Sequence, residues 1–211
     1  MTIMMDGPKS STRATETINQ SDGQHRQQWC DRQQTGRNCN SAGSDSQSAD
    51  PQQSGLHELG QLTAVAVERR CVEQRHLEHL YQSAFHSSHV PAISVWNYMR
   101  RIGKYSRCSP ECFIICIIFI DRYVAATNCP ITFRNIHRLL ITSMLVSVKL
   151  RDDSFYSNSY FAGIGGVSNE ELNRLEIEFL MTIDWRTWVE PSDFNMYCEQ
   201  LRSRCSANQE Q

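Results

Sequence analysis

Four groups of side chains in this 211-residue chain are of types that can do chemistry. His76, His79, His86 and His89 crowd one segment, but they fall on the polar face of an apolar pattern. No cysteine or carboxylate set stands at a matching spacing, so they read as solvent-facing histidines rather than metal ligands. Cys108, Cys112 and Cys116 recur every fourth residue on one helix face. An isoleucine run surrounds them and no fourth ligand fits, so they read as small buried hydrophobes. The Gly163–Gly166 stretch (GIGG) is better explained by a helix-ending loop than by a phosphate cradle. No H-E-x-x-H, nucleophile elbow or Gly-rich phosphate loop is present. Neither a cofactor nor a small-molecule substrate is therefore expected, and an enzyme is the weakest reading.

The fourth group is a pair of misplaced charges. Lys149 stands among Val146 and Leu150 at the end of a greasy helix, and Glu176 stands on the same face as Leu172 and Leu180. Spacing leaves three arrangements open. The two can close a buried salt bridge with each other, Lys149 can snorkel to solvent, or both can line an exposed groove. In a groove the lysine offers donors and the glutamate acceptors to the backbone of a partner segment, with the aliphatics supplying buried area.

The elements that must position these residues follow from the apolar periodicity. From Leu139 to Leu150 the chain is apolar on nearly every side, with Pro130 just upstream and Thr132 as the expected cap. Such a helix has to be enclosed by others, and it is too short to span a bilayer. Around it the pattern predicts an amphipathic flanking helix over residues 56–88 and a helix from Val95 to Tyr105 capped by Ser94. Arg100, Arg101 and Lys104 form the solvated face of that helix. Another helix is opened by Ser109-Pro110-Glu111, in whose C-terminal part Asp121 or Arg122 pairs internally. A short helix is expected around residues 159–162. Ser168 and Glu171 form a capping box for the helix that carries Glu176, and Pro191-Ser192-Asp193 starts a last helix.

Residues 1–55 are polar and nearly free of apolar clusters, so they read as a disordered tail that cannot bury enough surface to order itself. The remainder divides into the flanking helix, a helical domain over residues 89–190, and a C-terminal helix and tail over residues 191–211. A formal charge of −2 gives no electrostatic reason to expect nucleic acid or an anionic membrane. No apolar leader and no span of membrane length is visible. The nine cysteines, several inside apolar helices, fit a reducing intracellular compartment.

Several blocks stand in an order and spacing that are specific. They are HVPAIS with Tyr98 and Ile102, then KYSRCSP, IDRY, HRLLITSMLVSVKLRDD, FYSNSYFAGIGGVSNEEL, NRLEIEFL and PSDFNMY. Across these blocks, from Phe85 to Leu201, the chain resembles a single cyclin box. The pattern is that of the plant P-type (U-type) cyclins and the phosphate-responsive cyclin of budding yeast. The resemblance implies an all-α fold, a five-helix bundle around a buried central helix. It implies the regulatory subunit of a cyclin-dependent protein kinase acting in cell division or phosphate signalling, in nucleus and cytoplasm. It also implies that Lys149 and Glu176 hydrogen-bond the kinase segment leading into its C-helix, with Val146, Leu150 and Leu180 packing against that helix. The substrate-docking Met-Arg-x-x-Leu motif of mitotic cyclins is absent, VPAIS standing in its place. A rival reading is a cyclin-fold module for nucleic acid or transcription factors. It would call for a basic face and tandem repeats, which the sequence does not display.

Overall fold

The computed structural model describes the backbone of residues 51–206 and the side chains of residues 58–203. The tail expected over residues 1–55 therefore lies outside the described residues up to position 50, as do the last five residues of the chain. The described part is all-α: α1 (Pro51–Glu73), a 3-10 turn (Arg75–Leu77), α2 (Val95–Ser106), α3 (Glu111–Thr127), α4 (Ile136–Arg151), α5 (Asn158–Gly165), α6 (Asn169–Thr182) and α7 (Pro191–Ser206). No strand occurs among the described residues.

α4 is the axle. From Ile136 to Val148 every residue but Arg138 is buried, including Thr142, Ser143 and Ser147. The two serines that could have been orphaned are satisfied locally: Ser147 Oγ donates to the Ser143 carbonyl at 2.8 Å, and Ser143 Oγ lies 2.8 Å from Cys116 Sγ. An axle this apolar demands cover on every side, and α2, α3, α5 and α6 all pack on it. These five helices are the expected bundle. α1 and α7 flank it, packing on each other and on α3.

The starts of α2, α6 and α7 stand where the sequence put them, whereas α3 opens at Glu111 with Pro110 rather than Ser109 in the cap position and no side-chain cap. Ser94 accepts from the Asn97 N–H at 3.2 Å, and Ser168 accepts from the Glu171 N–H at 3.0 Å. Glu171 does not close its box, because Arg138 takes its carboxylate at 2.7 Å. α7 begins with Pro191 in its first turn, where a missing N–H costs nothing. α4 differs from expectation. Its cap position is Asn135, not Thr132. The Asn135 side chain turns back, accepting from the Thr132 N–H at 2.8 Å and donating to the Pro130 carbonyl at 2.9 Å, which ties the preceding turn and delays the helix.

The flanking helix also differs from its expected span. α1 starts at Pro51 and stops at Glu73, and beyond the 3-10 turn residues 78–94 carry no helix. The apolar residue that suggested a longer helix, Phe85, plugs the core from a loop instead. Its ring meets Tyr123 at 5.0 Å and Phe179 at 5.9 Å, both edge-on. The loop is pinned by Ser87, whose N–H donates to the Arg134 carbonyl at 2.7 Å. Of the charged pair at the end of α3, Asp121 binds both Arg70 and the Tyr197 hydroxyl, fastening α1 and α7 to the bundle. Arg122 donates to the Arg186 carbonyl at 2.6 Å.

Candidate functional site

The two anomalous charges meet. Lys149 Nζ lies 2.7 Å from Glu176 Oε1, joining the last turn of α4 to the middle of α6. Each is placed by something local. Lys149 sits at the C-terminal end of its helix, where a cation complements the dipole. That end is fixed by Asp152: its N–H caps the Val148 carbonyl, and its carboxylate accepts from the Ser109 N–H at 3.0 Å, tying the exit of α4 to the entry of α3. Glu176 is carried inward because Leu172, Leu175 and Phe179 on α6 are all buried.

A third residue completes the arrangement. Asn158, first residue of α5, donates to Glu176 Oε2 at 2.8 Å and to Asn173 Oδ1 at 2.7 Å. The Glu176 carboxylate is thus gripped at both oxygens from two different helices. Its side chain is 11% exposed and that of Lys149 is 29% exposed. This is a pair at the rim of the bundle, with one member nearly sunk and the other reaching solvent.

The spare hydrogen-bonding capacity decides what the pair can do. An ammonium group has three N–H donors and a carboxylate about four acceptor positions. Lys149 uses one donor on Glu176, and Glu176 uses one acceptor on each of Lys149 and Asn158. Donors and acceptors remain for a peptide backbone without breaking the bridge. A closed salt bridge and a groove are therefore compatible rather than alternatives.

The apolar residues expected beside the pair are distributed unevenly. Leu150 is 55% exposed and Leu180 is partly buried against the core. Val146, expected to pack against a partner, is 2% exposed in the free chain and belongs to the core, in the stretch of α4 that other helices enclose. It lies one turn before Lys149 and backs the site from within. Residues that the sequence reading did not single out are exposed and apolar on the same two helices or just past them: Phe155 beyond α4, Ile177 and Met181 one turn apart on α6, and Trp185. Asp184 and Trp185 both have left-handed backbones, φ 54° and 53°. For residues with a Cβ this conformation costs on the order of 1 kcal/mol or more each. The turn is held by the Asp184 N–H on the Met181 carbonyl and the Trp185 N–H on the Leu180 carbonyl, and it leaves the indole outside. Asn158 and Trp185 carry no periodic signal that would have found them.

The other candidates resolve as packing. Cys108, Cys112 and Cys116 are buried and unbridged. Burial pushes the Cys116 thiol up to about 12. The hydrogen bond between Cys108 and Cys112 holds the first below and the second above the usual thiol range. Cys108 is 6% exposed, which removes it from attack on a bulky substrate. No group of three or more His, Cys, Asp or Glu among the described residues could hold a metal ion. No helix among them is long and apolar enough to cross a membrane.

Comparison with known proteins places the sequence in a family. The sequence model of the family described as Cyclin matches residues 24–187. Cyclin-P3-1 of Oryza sativa subsp. japonica is 43% identical over 117 residues, covering 56% of this chain and 50% of that protein. Cyclin-U3-1 of Arabidopsis thaliana is 42% identical over 122 residues, covering 58% of this chain and 55% of its own. Cyclin-P4-1 of Oryza sativa subsp. japonica is 43% identical over 122 residues, with 57% and 58% covered. The chain thus spans less than two thirds of the length of each of these curated relatives.

Proposed function

The chain belongs to the cyclin family, its relatives being P- and U-type plant cyclins, and from that premise we propose that it binds and activates a cyclin-dependent protein kinase through the Lys149–Glu176 rim. Cyclins serve as regulatory subunits, so the chemistry resides in the partner. A protein kinase is active only when its own Lys–Glu ion pair is formed, which requires its C-helix to be swung inward. A subunit that binds the inward state better than the outward one shifts the population toward it.

The observation that carries this reading is the half-satisfied ion pair. Lys149 and Glu176 hold each other, and the lysine keeps spare donors toward solvent while the nearly sunk glutamate keeps spare acceptor positions. A rim of this kind suits the backbone of an incoming segment. Exposed Leu150 at the end of α4, with Leu180, Ile177 and Met181 on α6 and Trp185 in the turn after it, offers the apolar area against which an amphipathic helix can pack. The kinase C-helix is the occupant that fits the family. Its signal is read here as cell division or phosphate status, and its place as nucleus and cytoplasm, in keeping with the sequence resemblance.

Co-purification with cyclin-dependent kinases and phosphorylation of histone by the recovered complex test the proposal. Wild type should recover active kinase, and the double variant Lys149→Ala plus Glu176→Ala should not. Survival of both binding and histone phosphorylation in the folded double variant would place the kinase interface elsewhere.

A further inference from the structure

A second surface lies on α2. The exposed positions of that helix and its C-cap are Asn97, Arg100, Lys104 and Arg107. Steps of three and four set them in one row, and Arg107, the C-cap at φ 52°, carries the row past the helix end. Arg100 and Lys104 read from sequence as part of a solvated face, but their surroundings are one-sided. No Asp or Glu occurs from His79 to Pro110, nor from Ser154 to Asn169, which includes all of α5. The ion pairs among the described side chains use Arg69, Arg70, Arg138, Lys149 and Arg202, and none of the row.

Of the carboxylates that flank these stretches, Glu111 lies by Cys198 on α7 and exposed Glu170 follows Asn169 at the start of α6, while three others are engaged or balanced. Glu171 is taken by Arg138, Asp152 by the Ser109 N–H, and exposed Asp153 follows Arg151. Beside the cationic row runs an aromatic seam between α2 and α5. The Tyr160 hydroxyl donates to the Tyr105 carbonyl at 3.0 Å, and the Tyr156 and Tyr160 rings lie with centroids 4.1 Å apart, tilted by 31°. Lys104 sits 5.2 Å over the Tyr105 ring, and Arg101 donates to the Gly163 carbonyl at 3.0 Å. A chain of net charge −2 has thus gathered unpaired cations along one edge and lined that edge with tyrosine.

We propose that the α2–α5 seam docks an acidic linear segment of another protein, a short run of Asp, Glu or phosphoserine. Its anions pair with Arg100, Lys104 and Arg107, and its backbone lies along Tyr105, Tyr156 and Tyr160. The row from Arg100 to Arg107 spans about 10 Å, the length of about three residues of extended peptide. Complementary charge at such a surface sets encounter rate and partner choice more than affinity. A nucleic acid is the poorer occupant: the row is too short to release many counterions, and the chain as a whole is acidic. The proposal does not depend on the kinase reading, because it uses neither Lys149 nor Glu176.

The test is fluorescence anisotropy on the full chain, with labelled hexaglutamate, a Glu–phosphoserine peptide of the same length, and a uridine hexanucleotide as probes. Wild type and the control Arg75→Glu should bind both peptides, more weakly as salt rises. Arg100→Glu plus Lys104→Glu plus Arg107→Glu should lose about tenfold or more in affinity, with an unchanged circular dichroism spectrum. Should that variant not fold, the neutral pair Arg100→Gln plus Lys104→Gln carries the test, with an expected loss of about threefold. Failure of wild type to bind either peptide, equal binding by the folded variants, or tighter binding of the oligonucleotide would each overturn the assignment.

Discussion

Replacing Lys149 by Ala separates a structural role from a binding role for the rim. Removing one partner of a fully buried ion pair costs about 3–5 kcal/mol, whereas an exposed pair contributes about 0–1 kcal/mol. Glu176 is nearly sunk but Lys149 is 29% exposed, and Asn158 remains on the second carboxylate oxygen after the change. The free chain should therefore lose only about 1–2 kcal/mol, a fall in Tm of about 3–6 °C for a chain of this size. Glu176→Ala should cost about as little, since the freed lysine can extend to water. Binding of the kinase should respond more strongly, by about 2 kcal/mol or more, roughly thirtyfold in Kd, because the spare donors and acceptors are then lost at a desolvated contact. Thermal and denaturant unfolding of both single variants and the double variant gives the coupling energy for stability. Titration of each against the kinase gives the coupling for binding. A stability coupling above about 3 kcal/mol with unaltered kinase affinity would refute the reasoning and make the pair a lock on the fold.

Three further outcomes follow from the packing. A Cβ added at Gly165 would stand 2.7 Å from Ile141 Cγ1 and 3.3 Å from the Tyr98 hydroxyl, so Gly165→Ala should destabilise by about 1–3 kcal/mol in chemical denaturation. Asp121→Asn weakens the node holding Arg70 and Tyr197, and should expose α1 and α7 to faster amide exchange than α4 while costing about 1–2 kcal/mol. His137 and His86 are both held below the usual histidine value of 6.5, mainly by burial. The unfolded chain then binds more protons than the folded one as pH falls below 6.5, so stability is full above that value and declines toward pH 5. Tm measured across that range should fall on acidification, and His137→Gln should flatten the slope.

What was legible in the sequence divides along a physical line. Features decided within one helical turn could be read directly: Ser94 and Ser168 as caps, Pro191 in a first turn, and the enclosed character of α4. The oddness of Lys149 and Glu176 was also legible, because each breaks an apolar stripe. Which groups they meet was not, since Asn158 reaches Glu176 across 18 positions and Lys149 across 27. The same limit hid the work of Phe85, whose helical spacing is accidental and whose partners Tyr123 and Phe179 come from α3 and α6. Thr132 was a plausible cap until Asn135 turned its amide back on the preceding loop. Val146 is a different case: the resemblance gives it a partner outside the fold, and in the free chain it is 2% exposed in the core, within the stretch of α4 that other helices cover.

The most direct measurement is hydrogen exchange on the chain with and without a co-purifying cyclin-dependent kinase. Protection should appear at the exit of α4, at the start of α5 and over α6 into the Asp184–Trp185 turn, with the buried body of α4 already slow in both states. Protection confined to other elements, with Lys149, Asn158 and Glu176 exchanging as in the free chain, would contradict the assignment of this rim as the kinase site.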